Sequence, residues 1–205
     1  GKAYQVNYQF DQAINVLNQL KSLVKKEDDE NFFAQIEREI ETCENAKELV
    51  KNPINIVVTN LGEQINSPYA EHSPVVSGDE TILIFTSKRE ENIGGRKTDD
   101  GQYFEDIYAS YKINGEWIEA VNISDNINTP GHEASIGLSV DGRTLFIYRD
   151  DAGDGNIYMS QQDGLDWTVP EKMVDQINTT SRETHASLSA DGEQLFFTSD
   201  RKGGY

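Results

Sequence analysis

The side chains able to do chemistry gather at three places of the same type. Glu71, Glu133 and Glu183 each stand close to a histidine: His72, His132 and His185. Carboxylate and imidazole are common metal ligands, so three such pairs around one axis could hold an ion. The spacing weighs against this, because relative to its glutamate the histidine lies one after, one before and two after. Successive residues of a strand point to opposite faces, so these rings would not share a direction. What repeats is the glutamate, and a repeated acid at a strand entry is expected to accept backbone N–H bonds and fasten one unit to the next. A second acidic group, Asp150, Asp151 and Asp154 followed by Gly155 and Asn156, suggests a calcium loop. The full loop needs oxygen ligands at alternate positions and a glutamate at the twelfth, where this chain has Ala152 and Gln161. A solvated turn is the favoured reading there, with a looser calcium site left open. Arg149, Arg182 and Arg201 fall at unequal points and are expected not to converge, and no spacing identifies a nucleophile or an acid–base pair. The expected inventory therefore holds no catalytic, cofactor-binding or metal residue.

The elements that position these groups are written in a repeat. Ile65-Asn66-Ser67, Ile127-Asn128-Thr129 and Ile177-Asn178-Thr179 each precede a glutamate that lies five residues after the Asn. From each glutamate, Ser77, Ser139 and Ser189 follow at six, Asp79, Asp141 and Asp191 at eight, and Leu83, Leu145 and Leu195 at twelve. The Asn-to-Asn steps are 62 and 50 residues, and the additional 12 fall between Phe85 and Ile107. A unit of about 50 residues with several short strands is in the range of propeller blades and solenoid coils. In the first copy, strands are expected near Ser73 to Val76, Ile82 to Ser87, Asp106 to Ser110 and Trp117 to Val121. Asp141-Gly142 and Asp191-Gly192 are hairpin turns, whereas Asp79-Glu80 implies a different turn in the first copy. Runs such as Ile82-Leu83-Ile84-Phe85 do not alternate and suit strands covered on both faces. Four such strands per unit, stacked radially, make a β-propeller. Leu83, Leu145 and Leu195 should then be equivalent buried residues of second strands, with Ile107 and Ile157 beside them. Residues 92–105 should form an exposed loop outside the blade hydrogen bonding.

The pattern Ser-x-Asp-Gly-x-x-Leu-x-Phe, with Ser-Asp-Arg-Lys-Gly-Gly-Tyr and Asp-Ile-Tyr, resembles the WD40-like repeat of TolB-type propellers from about residue 61 onward. The Ser-x-Asp-Gly turns also resemble the Asp-box hairpins of sialidases, which are structural even there.

Residues 1–52 read as helices. Ala13, Leu17, Leu20 and Val24 recur at three-to-four spacing, as do Phe33, Ile36, Ile40, Cys43, Ala46 and Leu49, and the charged stretch from Lys25 to Glu30 divides the two sets. Gly1, Tyr4 and Ala13 keep the spacing of a tetratricopeptide unit, although Leu17 stands where that pattern prefers Phe and Lys25 where it expects Pro. Pro53 ends the helical region. The expected fold is α+β in series, with tetratricopeptide-like helices over 1–52 followed by four-stranded propeller blades over 53–205, about two and a half of them, an incomplete ring. Gly1 opens inside a motif and the third copy lacks its third strand, so a piece of a longer protein is expected.

A net charge of −18, most of it beyond residue 50, would repel phosphate backbones and anionic lipid, so nucleic acid is not an expected partner. No apolar run is long enough to span a bilayer. Cys43, the single cysteine, lies on an apolar helical stripe and is read as a buried thiol. Helices followed by this propeller resemble PorE-like envelope proteins of the OmpA family in Gram-negative bacteria. That resemblance implies a non-enzymatic periplasmic scaffold associated with the outer membrane, docking envelope proteins through helices and blade faces. Some members serve the type IX secretion machinery, and peptidoglycan would be held only through a domain absent from this sequence. The alternative is a propeller glycan hydrolase or a carbohydrate-binding module.

Overall fold

A computed structural model describes residues 1–27, 29–150 and 153–203. The chain divides into two units, Gly1–Val58 and the segment from Thr59 onward.

The first unit is helical: α1 (Lys2–Val6), α2 (Phe10–Leu23) and α3 (Glu30–Leu49). Tyr8 takes a left-handed φ of 58° and ends α1, a break that the apolar spacing does not announce. Asp29 caps α3 by accepting the Phe32 N–H at 2.9 Å, which satisfies one of the donors a helix start leaves open. Phe10, Ala13, Leu17, Ile36 and Cys43 form the core between α2 and α3. Leu49 and Leu20, expected on the inner stripes, are exposed. Leu49 is in the last turn of α3, beyond the part that α2 covers.

The second unit is three antiparallel sheets in series, a partial propeller-like fold. The first holds β1 (Glu71–Val76), β2 (Ile82–Ser87), β3 (Asp106–Ile113), β4 (Glu116–Trp117) and β5 (Val121–Asn122). The second repeats this with β6 (Glu133–Leu138), β7 (Thr144–Arg149), β8 (Asn156–Asp163), β9 (Asp166–Trp167) and β10 (Glu171–Lys172), and the third holds β11 (Glu183–Leu188) and β12 (Leu195–Ser199). The single fourth strand expected over Trp117 to Val121 is two pieces. β4 makes a hairpin with the end of β3, while β5 pairs with its middle.

Unalternating apolar runs do pack on both faces. Leu145 and Ile147 meet Ile84 and Ile107 of the preceding copy and Ile127 of the connector, and Phe146 on the opposite face meets Ala186 of the following copy. Leu83 and Leu145 are buried, as are Ile107 and Ile157. Leu195 is only half-buried, because β12 has no third strand beside it among the described residues. The sheets approach closely: a Cβ on Gly137 would stand 2.4 Å from the Ala186 carbonyl oxygen, so only glycine fits.

The first-copy turn does not differ from the others. Glu80 takes φ 59° where Gly142 and Gly192 take 72° and 75°, and the same N–H to Ser carbonyl bond closes all three turns at 2.9 Å. The serine and aspartate fix the backbone here. Ser139 Oγ donates to Asp141 Oδ1 at 2.5 Å and accepts the Thr144 N–H at 2.8 Å, with the same set at Ser77 and Ser189. These serine bonds hold Asp79, Asp141 and Asp191 below the ordinary aspartate pKa.

Candidate functional site

Each repeated glutamate enters an inner strand and turns its carboxylate back on the connector before it. Glu133 accepts the Thr129 N–H at 3.2 Å and the Thr129 hydroxyl at 2.5 Å. Glu183 does the same with Thr179, both at 3.0 Å, and Glu71 takes the Ser67 hydroxyl. An arginine completes every copy. Arg89 lies 3.6 Å from Glu71, Arg149 3.5 Å from Glu133 and Arg201 3.1 Å from Glu183. The same guanidinium donates to the carbonyl of the connector isoleucine, at 2.7 Å to Ile65, 2.6 Å to Ile127 and 2.5 Å to Ile177. Each also lies over an aromatic ring: Tyr108, Tyr158 and Phe197 respectively.

Arg149 and Arg201 thus hold equivalent places although their chain positions are not equivalent. Arg89 and Arg201 follow their glutamates by eighteen residues, and Arg149 follows by sixteen, in the register of Ser87 and Ser199. The long guanidinium stem absorbs the difference. The shared spacing of Arg89 and Arg201 was the available signal, and it was hidden because the middle copy departs from it.

The asparagine of each connector faces the preceding sheet. Asn128 Oδ1 accepts the Ile107 N–H at 2.8 Å while its Nδ2 donates to the Ile107 carbonyl at 2.9 Å. Asn178 clasps Ile157 in the same way, both at 2.8 Å. The connector is therefore held by Asn to the sheet before it and by Glu and Arg to the sheet after it. This refines the expected direct fastening by glutamate alone.

Burial governs the acidity of these groups. Burial pushes Glu133 above its ordinary value, against the pull of Thr129 and Arg149. For Glu183 burial acts in the same direction, but the bonds from Thr179, Ser199 and Arg201 outweigh it and the carboxyl ends below its ordinary value. The difference follows the partners: Glu183 also accepts hydrogen bonds from the Ser199 hydroxyl and the Arg201 guanidinium, whereas Arg149 stands 3.5 Å from Glu133.

A cleft of about 320 Å³ opens at the inner-strand entries, with His72, Glu105, His132, Tyr148, Asp150 and Arg182 in its wall. His132 meets Glu105 through Nδ1 and stacks on Phe104. Lys88 lies 3.3 Å from the same Glu105. Burial raises the Glu105 pKa, but His132 and Lys88 more than offset it and keep the carboxyl below its ordinary value. Burial lowers the His72 pKa below the ordinary histidine value. His185 is exposed, its ring meets the Thr184 hydroxyl and it does not line this cleft, so the three histidines are not brought together. Arg182 reaches Tyr148 Oη at 3.3 Å, apart from the partners of Arg149 and Arg201.

In the acidic turn expected to be solvated, Asp151 and Ala152 lie outside the described residues. Asp150 accepts the Gly153 N–H at 2.6 Å and Asp154 accepts Asn156 Nδ2 at 3.2 Å, the bonds of a turn. No group of three or more His, Cys, Asp or Glu side chains is arranged for a metal among the described residues. The insertion is not wholly outside the blade bonding. Its tip is exposed and folds back through a Lys97–Tyr103 bridge, but Asn92 is buried and donates to the Ser87 and Phe104 carbonyls at 2.7 Å each.

No family model and no curated protein matches the chain. Among solved structures it is similar to TolB from Acinetobacter baumannii, at 19% identity and a TM-score of 0.43. That match covers 68% of this chain and 29% of the other, so the chain spans under a third of that protein. No helix among the described residues is long and apolar enough to cross a membrane.

Proposed function

We propose that this chain is a non-enzymatic scaffold of the bacterial cell envelope, acting in the periplasm in association with the outer membrane. One observation carries the reading: the repeated carboxylates and guanidiniums are spent on structure. Each glutamate is turned back on a connector, with its carboxylate bonded by a hydroxyl and, in two copies, by a backbone N–H, and ion-paired with an arginine at 3.6, 3.5 and 3.1 Å. A glycosidase would instead need two carboxyls free to face a sugar across an enclosing pocket.

Partner proteins would dock on the tetratricopeptide-like helices and on the faces of four-stranded blades. Peptidoglycan would be engaged through an OmpA-like domain outside residues 1–205, linking it to outer-membrane or secretion machinery such as the type IX apparatus. The resemblance of the repeat motifs to TolB-type envelope propellers supports this placement, and the net charge of −18 supports protein rather than nucleic-acid partners. The deciding experiment pairs capture of partners from envelope extracts with an assay for sugar release. Recovery of outer-membrane or secretion proteins without sugar release is expected. Hydrolysis abolished by changing one cleft carboxylate, Glu105 or Asp150, would overturn the reading.

A further inference from the structure

Both joints between the sheets carry the same backbone bond at the strand entry. The Glu133 N–H meets the Glu105 carbonyl at 3.3 Å, and the Glu183 N–H meets the Gly155 carbonyl at 3.1 Å. The residue before each glutamate is thereby set beside the residue that leads into β3 or β8. In the second joint these are Arg182, a cation at every ordinary pH, and Gly155, which has no side chain to offer it. Arg182 reaches Tyr148 Oη instead. In the first joint they are His132 and Glu105, and Glu105 closes the insertion that the second copy lacks. An ionisable pair thus stands where the insertion returns to the blade.

His132 Nδ1 meets Glu105 Oε2, and the imidazole stacks on Phe104 with ring centroids 3.7 Å apart. Lys88 lies 3.3 Å from the other carboxylate oxygen and donates to Gln102 Oε1 at 2.9 Å. The insertion itself is a small hairpin: the Phe104 N–H reaches the Arg96 carbonyl at 3.0 Å, and the Thr98 N–H reaches the Gln102 carbonyl at 2.8 Å. At its other root the Ile93 N–H bonds Asp106 Oδ2 at 2.8 Å, and Gly94 packs so near Pro130 that a Cβ would stand 2.7 Å from its ring. Of these holds, the one on His132 is the one that a change of charge on the second copy can weaken.

We propose that His132 and Glu105 form a pH-set latch that holds the insertion hairpin against the second sheet, closed at mildly acid pH and loosened above neutrality. Histidine is the side chain whose charge ordinarily changes between pH 5 and 8. As an imidazolium it gives Glu105 a charge-assisted bond, and the neutral ring leaves one about half as strong. The proton is held more tightly in the latched state, so the latch strengthens as pH falls and is lost as pH rises. Burial raises the Glu105 carboxyl, but His132 and Lys88 outweigh it, so the anion persists through this range. On β1, His72 faces the same carboxylate, but burial lowers its pKa and it charges only at more acid pH. Glu133 is turned onto Thr129 and Arg149, and Asp150 and Arg182 across the cleft are opposite in sign. Asp106, pushed by burial to about 6, titrates in the same window at the other root and must be held constant in any test. Any contact made through the insertion inherits the same pH dependence.

The test follows amide hydrogen exchange of the whole chain at pH 6 and pH 8, in an Asp106→Asn background that removes the second titration. Protection factors of the Thr98 and Phe104 amides, corrected for intrinsic rates, report the hairpin, and the Ile147 amide on β7 controls for global change. Protection of the two hairpin amides is expected to be about five-fold higher at pH 6, the difference between a charge-assisted and a neutral hydrogen bond. His132→Arg keeps a cation at both pH values and should hold the higher protection at both. His132→Gln, and separately Glu105→Gln, should give the lower value at both. Equal protection at pH 6 and pH 8 with His132 and Glu105 in place would overturn the proposal, as would a pH dependence that survives His132→Arg and Glu105→Gln.

Discussion

Replacing Asp106 by asparagine should stabilise the protein at neutral pH and remove a pH dependence that the wild type carries. Asp106 opens β3 and is fully buried. Its Oδ2 accepts the Ile93 N–H at 2.8 Å and Asn122 Nδ2 at 3.3 Å, while Oδ1 is buried without a hydrogen-bond partner among the described residues. Burial, with added repulsion from Glu133, pushes its pKa from 3.8 to about 6. The corresponding position of the second copy is Asn156, so the fold accommodates the neutral side chain. A folded-state pKa above the unfolded one means that the native state binds more protons, so this group destabilises at high pH and is relieved as pH falls. The difference corresponds to about 3 kcal/mol when the carboxyl is ionised in both states. Weaker hydrogen bonding to a neutral acceptor offsets part of it, leaving an expected gain of about 1–3 kcal/mol for Asp106→Asn at pH 7. Urea unfolding of both proteins between pH 8 and pH 4 reads the effect. The stability gap should hold from pH 8 to about 6, roughly halve by pH 5 and narrow further towards pH 4. A gap that does not change with pH, or a variant less stable than the wild type at pH 7, would refute the reasoning.

Leu145→Ala should cost about 2–5 kcal/mol in the same assay, since Leu145 is fully buried between two sheets. Removing Arg149 should cost about 3–5 kcal/mol because Glu133 is left buried without its cation, whereas the exposed Arg182→Ala should change the denaturation midpoint little. Glu80→Gly should raise stability by roughly 1 kcal/mol, because glycine enters the left-handed region without the Cβ clash that Glu80 sustains; an unchanged melting temperature would show that the turn relaxes around Glu80.

The register of Ile-Asn, Glu, Ser, Asp and Leu was enough to place the first two strands of each copy, because each of those residues acts at one fixed point of the backbone. Leu83 and Leu145 are buried where the spacing put them, and Ile82–Ser87 is the second strand as expected. What escaped was held by reach rather than by register. Arg149 arrives at its glutamate from two residues earlier than its counterparts, so spacing alone hid the pairing. Turn residues misled in the other direction. The loss of glycine at Glu80 pointed to a new turn, yet Ser77 and Asp79 impose the old one through side-chain bonds to the backbone. The buried anchor of Asn92 is also invisible in a segment rich in glycine and charge, because its partners are carbonyls whose positions only the folded chain defines.

The connectors have a mechanical meaning. Ile127-Asn128-Thr129 is gripped on one side through Asn128 by the Ile107 backbone and on the other through Glu133 and Arg149, so it works as a rivet through two plates. Tension that draws the first sheet away from the second loads these bonds together rather than one after another. Sharing a load among several bonds raises the force needed to part the sheets. Resistance to pulling in this chain therefore belongs to the joints between sheets, and the sheets themselves are the parts that those joints protect.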